Sequence, residues 1–441
     1  MRKEGGKRMK KFLVLIFTFV LVFSLAACNS SSPSSNESEE PKEDNKDEKV
    51  TLRIAWWGSQ PRHDYTLKII EMYEEKNPNV KIEAEYAAWD DYWKKLAPQA
   101  AANELPDIIQ MDLSYFSQYA QNGQIADLTS YVGNEINTAD IAENVIDGGK
   151  IGDKLYGVNA GVNVVGFHYD PAGLQKAGVD SIPENWTWDD YLDIAAKAKD
   201  AGLFVDTSMK ADVFFNYYLR TKGESLYSKD GASLGYKDDQ LFVDFFKMRS
   251  DLILDKAVPT PDFMAQLKGI EDDPVVTQNA IGIWQWSNQF VGLQQVANRD
   301  LAIAPMPGPD SDKGLYLKPS MFWSVGNNSK NKEEAAKFID FMINDIEANK
   351  LNLGDRGVPG SATVKEALKP LLSPAQVQVF DYVEWAEGNS SAFDGPDPVG
   401  AGEIIETLDS LAEQMAYGNL KVEDAAKQFR QQAESVLSQN K

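Results

Sequence analysis

Val50-Thr-Leu-Arg-Ile-Ala-Trp-Trp57, Val80-Lys-Ile-Glu-Ala-Glu-Tyr86 and Pro106-Asp-Ile-Ile-Gln-Met111 decide the fold class. The first two alternate in the period of a strand, and the third is a short apolar run of buried-strand length. After the first, Gly58 to His63 reads as a loop. Asp64 then caps a predicted helix from Tyr65 to Lys76, which Asn77-Pro78 stops. A second helical stretch, Asp90 to Asn103, precedes the third strand. Strands alternating with helices predict an α/β domain with a mainly parallel sheet. Ligands of such sheets sit outside the carboxyl ends of the strands. That rule gathers the 57–64 loop with Trp57, Gln60, Arg62, His63 and Asp64, the 87–92 loop with Trp89, and Asp112 at one crevice.

Further along, Tyr156 to Tyr169 is extended and punctuated by glycine, which suits a crossover between domains. Thr187 caps a helix that ends near Gly202. Ala280 to Trp286 is a strand whose period of two puts Trp284 and Trp286 on one face. Pro319 to Val325 is extended again. Lys332 to Lys350 forms one amphipathic helix, with Ala335, Phe338, Ile339, Met342 and Ile343 at helical spacing. From Ser373 onward the pattern is helical, broken by Asp394-Gly-Pro-Asp-Pro398. The stretch after Val50 exceeds one ordinary domain, so two are expected.

The N-terminus has another character. Arg2, Lys3, Lys7, Arg8, Lys10 and Lys11 stand against one acid, Glu4, before an apolar run from Phe12 to Ala27. A basic start, a short apolar run and small residues at its end make a secretory signal over residues 1–27. The run is shorter than the ~20 residues of a membrane span. Cys28, the only cysteine, follows Leu25-Ala-Ala27. Leu-Ala-Ala-Cys resembles the bacterial lipobox, which implies diacylglyceryl attachment at Cys28. Residues 29–49 are almost all Asn, Ser, Pro, Glu, Asp and Lys, a composition that buries no core and tethers the body over ~25 Å. The whole chain carries a formal charge of −23, and removal of the basic signal leaves the rest more acidic still. Such a surface argues against nucleic acid or anionic lipid as a ligand.

Signatures of chemistry are missing. There is no Gly-x-Ser-x-Gly elbow, no phosphate loop and no His-Glu-x-x-His. His63 and His168 are the only histidines, which excludes a multi-histidine metal site, and His168 lies in an apolar run. No catalytic residue, metal or cofactor is expected. The positive signal is aromatic. Of ten tryptophans, Trp57, Trp89, Trp284, Trp286 and Trp323 are read at strand ends or in loops. Flat rings cover the apolar faces of sugars while Asp, Asn, Gln and Arg bond their hydroxyls. Gln60, Asp64, Asp112 and Asn288 are the candidates for that second task, and core packing is the competing reading of each tryptophan.

Leu105-Pro-Asp-Ile-Ile109, Gly123-Gln-Ile-Ala-Asp-Leu128, Leu155-Tyr-Gly157, Trp186-Thr-Trp-Asp-Asp-Tyr191, Asn331-Lys-Glu-Glu-Ala-Ala-Lys-Phe-Ile339 and Arg356-Gly-Val-Pro359 occur in that order. The series resembles the extracellular solute-binding proteins that feed sugar ABC transporters, over nearly all of residues 50–441. Leu52-Arg-Ile-Ala-Trp-Trp-Gly58, Gln60-Pro-Arg-His-Asp-Tyr65, Trp89-Asp-Asp-Tyr-Trp-Lys-Lys95 and Tyr218-Leu-Arg-Thr-Lys-Gly223 resemble, more narrowly, the rhamnogalacturonan-oligosaccharide-binding lipoproteins of bacilli.

The resemblance implies an α/β, two-lobed periplasmic-binding-protein-like fold (type II) with the ligand cleft between lobes. Lobe one would take 50–160 plus 320–355, and lobe two 161–319 plus 356–441. The implied partners are an oligosaccharide, the permease subunits of an ABC transporter, and the membrane through the lipid anchor, with the chain acting as a monomer on the outer face. Pectin fragments carry carboxylates, for which Arg62, His63, Arg220 and Arg356 are the candidate cations. Structural pairing with nearby acids is the competing reading of Arg220 and Arg356. A surface-anchored glycoside hydrolase or lyase, or an adhesin, remains the functional alternative.

Overall fold

A computed structural model describes residues 49–440 other than Ser59 and Ser208, without the side chain of Asp90. The signal, Cys28 and the acidic linker to Glu48 lie outside the described residues. Among the described residues, eleven strands run in chain order: β1 Val50–Trp57, β2 Val80–Ala87, β3 Ile108–Met111, β4 Lys150–Ile151, β5 Lys154–Leu155, β6 Val158–Asn163, β7 Val165–Tyr169, β8 Phe204–Thr207, β9 Ala280–Trp286, β10 Ala302–Ala304 and β11 Lys318–Val325. They build a five-stranded sheet ordered β2-β1-β3-β11-β6, a four-stranded sheet ordered β10-β7-β9-β8, and the small β4-β5 hairpin.

In the first sheet, alternation along β1 divides its residues between two cores. Leu52, Ile54 and Trp56 pack with Ile69, Phe338 and Ile339, so helices Gln60–Lys76 and Lys332–Asn344 cover that face. Ala55 and Trp57 pack on the other face with Tyr92, Trp93, Phe116 and Phe322, under helices Trp89–Ala101 and Leu113–Gln121. The second sheet has a core of its own around Phe167, Ile281 and Trp284, to which the C-terminal helices add Phe380, Leu408 and Phe429.

Two helices depart from the sequence pattern. The first begins at Gln60 rather than Tyr65, because Pro61 sits in the first turn, where its missing N–H costs nothing. Residues read as a loop are therefore helical. The amphipathic stretch after Asn331 is two helices, Lys332–Asn344 and Ile346–Asn352. Asp345 turns extended between them, and its carboxylate accepts the Ala348 N–H at 2.9 Å. By contrast, Thr187 caps Trp188–Asp200 in a reciprocal box with Asp190, and β9 runs from Ala280 to Trp286 as its alternation predicts.

Three segments join the sheets. β6 passes into β7 through Val164 alone, the chain between β10 and β11 returns, and the strip around Val358 follows helix Ile346–Asn352. The last is tied to the first by a reciprocal backbone pair, Val162 N–H to Val358 O at 2.9 Å and Val358 N–H to Val162 O at 3.1 Å. The Ser320 hydroxyl donates to Gly161 O at 2.9 Å and also contacts Arg356 O, so all three segments meet there. A Cβ on Gly161 would lie 2.6 Å from Arg356 O and 2.6 Å from the Gly357 carbonyl carbon, which leaves room only for glycine. Gly161→Ala should therefore lower unfolding free energy by about 1–3 kcal/mol through forced separation of these segments, measured by denaturant titration. A stability equal to the parent's would show that the contact is not tight.

Candidate functional site

Strand direction fixes where a ligand can approach. β1 runs parallel to β2 and β3, while β11 is antiparallel to both β3 and β6. Trp57, Ala87, Met111 and Asn163 therefore end their strands at one edge, and Lys318 begins β11 at the same edge, opposite Asn163. In the second sheet β8 is parallel to β9, and β7 is antiparallel to β9 and β10. Thr207, Trp286 and Ala304 end their strands at one edge, where Val165 begins β7. Since Asn163 leaves one edge and Val165 enters the other, the two carboxyl edges flank the same crossing. This is the place where open α/β sheets take ligands.

Aromatic rings occupy both edges. At the first, Trp57 meets Trp89 edge-on at 5.0 Å and Trp93 at 5.8 Å, and Trp93 lies 4.0 Å from Tyr115. Trp57 is only 8 % exposed, whereas Trp89 is 39 % exposed, so Trp89 presents the accessible surface of the group. At the second, half-buried Trp286 lies 5.9 Å from Tyr316, which stacks on Phe393 at 5.4 Å. The Arg220 guanidinium backs Tyr316 at 5.0 Å.

Polar groups stand among the rings. Asp112 caps helix Leu113–Gln121 through the Ser114 N–H at 2.9 Å and remains half-buried. Exposed Gln60 and Asp64 bond each other at 2.7 Å, and Asn288 is exposed just beyond Trp286. Asp397 keeps solvent access, yet the protein around it pushes its carboxyl up to about 6, burial first and Asp212 second, against the pull of Lys318. Burial pushes the Lys318 ammonium down, while Asp112 from the first sheet's side and Asp397 and Asp212 from the second's hold it up. The charges of both sides are thus felt at one point.

Several predicted ligand contacts are corrected by what surrounds them. Trp284 is 2 % exposed, enclosed by Phe167 at 4.6 Å, Phe214 at 5.6 Å, Tyr191 at 5.7 Å and Trp186 at 6.1 Å. It shares a strand face with Trp286 but sits a full pleat deeper in the sheet. Trp323 is 1 % exposed beneath the Arg356 guanidinium at 5.1 Å. Arg356, also 1 % exposed, donates to Gln110 Oε1 at 3.0 Å, Tyr65 OH at 2.6 Å and Thr66 Oγ1 at 3.0 Å. Burial pushes it down to about 10, which leaves it a cation. Arg62 pairs with Asp355 at 2.7 Å, and Arg220 is held by Asp394, Ser391 and the Gly314 carbonyl. The three arginines thus have protein partners. His63 is buried against Tyr86 at 4.4 Å. Its Nδ1 accepts the Trp56 indole N–H at 3.1 Å, and burial lowers its pKa, so the ring is neutral.

Tyr316, Lys318, Phe393 and Asp397 were not singled out by sequence reasoning. They come from two segments far apart in the chain, of which Asp394 to Pro398 showed only as a helix break. Among the described residues no group of three His, Cys, Asp or Glu could hold a metal ion, and no helix is long and apolar enough to cross a membrane.

The family model of bacterial extracellular solute-binding proteins matches residues 58–348. The chain belongs to that family. A family 1 extracellular solute-binding protein from Alicyclobacillus acidocaldarius superposes with a TM-score of 0.78 at 30% identity, covering 89% of this chain and 99% of that one. A periplasmic oligogalacturonide-binding protein from Yersinia enterocolitica shares the fold, with a TM-score of 0.77 at 23% identity, over 89% of this chain and 100% of that one. The arabinooligosaccharide-binding protein of Bacillus subtilis is 25% identical over 357 residues, 77% of each chain.

For this solute-binding protein, Trp284→Ala should lower unfolding free energy by about 3–5 kcal/mol. Denaturant melts of the variant check this, and an unchanged midpoint would return Trp284 to the ligand-facing set.

Proposed function

We propose that this chain is the solute-binding component of an ABC importer that takes up oligosaccharides, specifically rhamnogalacturonan fragments of pectin. The observation that carries the reading is the pair of facing carboxyl edges, each with accessible aromatic rings and polar groups, Trp89 with Asp112 on one and Trp286 with Asn288 on the other. Sugars need that combination, apolar surface for the ring faces and hydrogen-bonding groups for the rims. The arabinooligosaccharide- and oligogalacturonide-binding relatives support the choice of ligand class.

In this reading residues 50–160 with 320–355 move as one lobe and 161–319 with 356–441 as the other. Sugar binds first to one lobe, and contacts with the second favour closure. Closure follows only from tighter binding to the closed form, since a ligand of equal affinity for both shifts nothing. Trp57 props Trp89 from beneath. Gln60, Asp64, Asp112 and Asn288 bond hydroxyls. The closed form, a monomer tethered outside the membrane by acylated Cys28, then presents both lobes to the permease. The chain performs no chemistry of its own.

Tryptophan fluorescence of the full chain in detergent tests this. Saturable binding of unsaturated rhamnogalacturonan oligosaccharides with a Kd of about 1 μM or tighter, roughly −8 kcal/mol, is expected, and none for malto-oligosaccharides. Binding of the neutral sugars alone would contradict the pectin assignment, and turnover of the sugar would contradict the binding role.

A further inference from the structure

Lys318 stands apart from the arginines at the two edges. Arg62, Arg220 and Arg356 are each matched by protein groups, whereas the Lys318 ammonium has no hydrogen bond and no carboxylate within 4.0 Å among the described residues. It begins β11 in the first sheet, yet its Nζ lies 4.8 Å over the ring of Trp286, which ends β9 in the second. The side chain therefore spans the crossing. Opposite it in the ladder is Asn163, 5 % exposed, whose side-chain oxygen is buried without a hydrogen-bond partner in the described chain. Half-buried Lys318 holds its ammonium on an aromatic face beside a buried, unmatched acceptor, and that acceptor is costly unless a ligand completes it.

We propose that Lys318, seated on Trp286, is the residue that reads the carboxylate of an acidic sugar, with Asn163 accepting a hydroxyl of the same ligand. The proposal rests on the oligosaccharide reading above and names the charged group within it. The surroundings favour a single negative charge. Asp112, Asp212 and Asp397 outnumber Lys318 and Lys210 around the ammonium, so a phosphate monoester, which carries more charge than a carboxylate, would be repelled more strongly. Burial and Asp212 push the Asp397 carboxyl up to about 6, which makes it the more easily neutralised of these acids. The pair also makes acid recognition depend on closure, because the cation belongs to one sheet and its aromatic seat to the other.

Isothermal titration of the full chain in detergent tests this with an unsaturated rhamnogalacturonan disaccharide and the same sugar with its carboxylate reduced to a primary alcohol. The parent should bind the acid about 30-fold more tightly than the alcohol, in the range of a desolvated charge pair. Lys318→Met should erase that preference by weakening the acid alone, leaving the alcohol within about threefold, and Lys318→Arg should keep part of it. Equal affinity of the parent for acid and alcohol overturns the role of Lys318 and leaves the oligosaccharide reading intact. So does equal loss of both sugars in Lys318→Met. Failure of the parent to bind either sugar overturns both.

Discussion

The backbone pair between Val162 and Val358 is the constraint on which the remainder depends. It lets three crossing segments share one narrow junction, with Gly161 against the Arg356 and Gly357 carbonyls and Ser320 bridging them. Arg356 extends the junction into the first sheet. Its guanidinium bonds Gln110, whose amide in turn donates to Trp57 O at 3.3 Å at the end of β1. The second sheet is gripped from its own side. Ser287 N–H donates to Val164 O at 2.9 Å, and the Tyr382 hydroxyl donates to Val165 O at 2.7 Å. The place where the chain crosses is thus rigid in its hydrogen bonds and short in length.

Charge is distributed by the same logic. The body is strongly acidic, yet buried cations mark the junction. Arg356 carries its charge inward on neutral hydrogen bonds and on the faces of Tyr65 at 5.0 Å and Trp323, not on a direct carboxylate. Removing one partner from such a network strands the others, so it resists stepwise change. The arginines at the edges are already committed to protein groups, whereas the Lys318 ammonium rests only on the Trp286 ring. Selectivity for an anion can then reside in one side chain while acidity elsewhere keeps the protein soluble.

Much of this was legible in the sequence because it is local. Alternation gave β1 and β9 their spans, Thr187 announced its helix, and the rule for parallel sheets gathered Trp57, Trp89 and Asp112 at one edge. Depth was not legible. Trp284 and Trp286 have the same period and chemistry, and only the strand's end separates core from surface. The partners of arginines were not legible either, since Arg62 finds Asp355 and Arg220 finds Asp394 across long stretches of chain. Lys318 and Asp397 approach one another from unrelated segments, so no spacing could join them. The break at Asp345 was hidden because both helices keep apolar residues in phase across it.

The central claim is that the two carboxyl edges close on one solute. Hydrogen exchange of the full chain in detergent, with and without saturating rhamnogalacturonan disaccharide, measures it most directly. The account predicts new protection together at 57–60, 89–93, 286–288 and 316–318, from both sheets at once. Protection on one sheet alone, or confined to the C-terminal helices at 401–437, would contradict it.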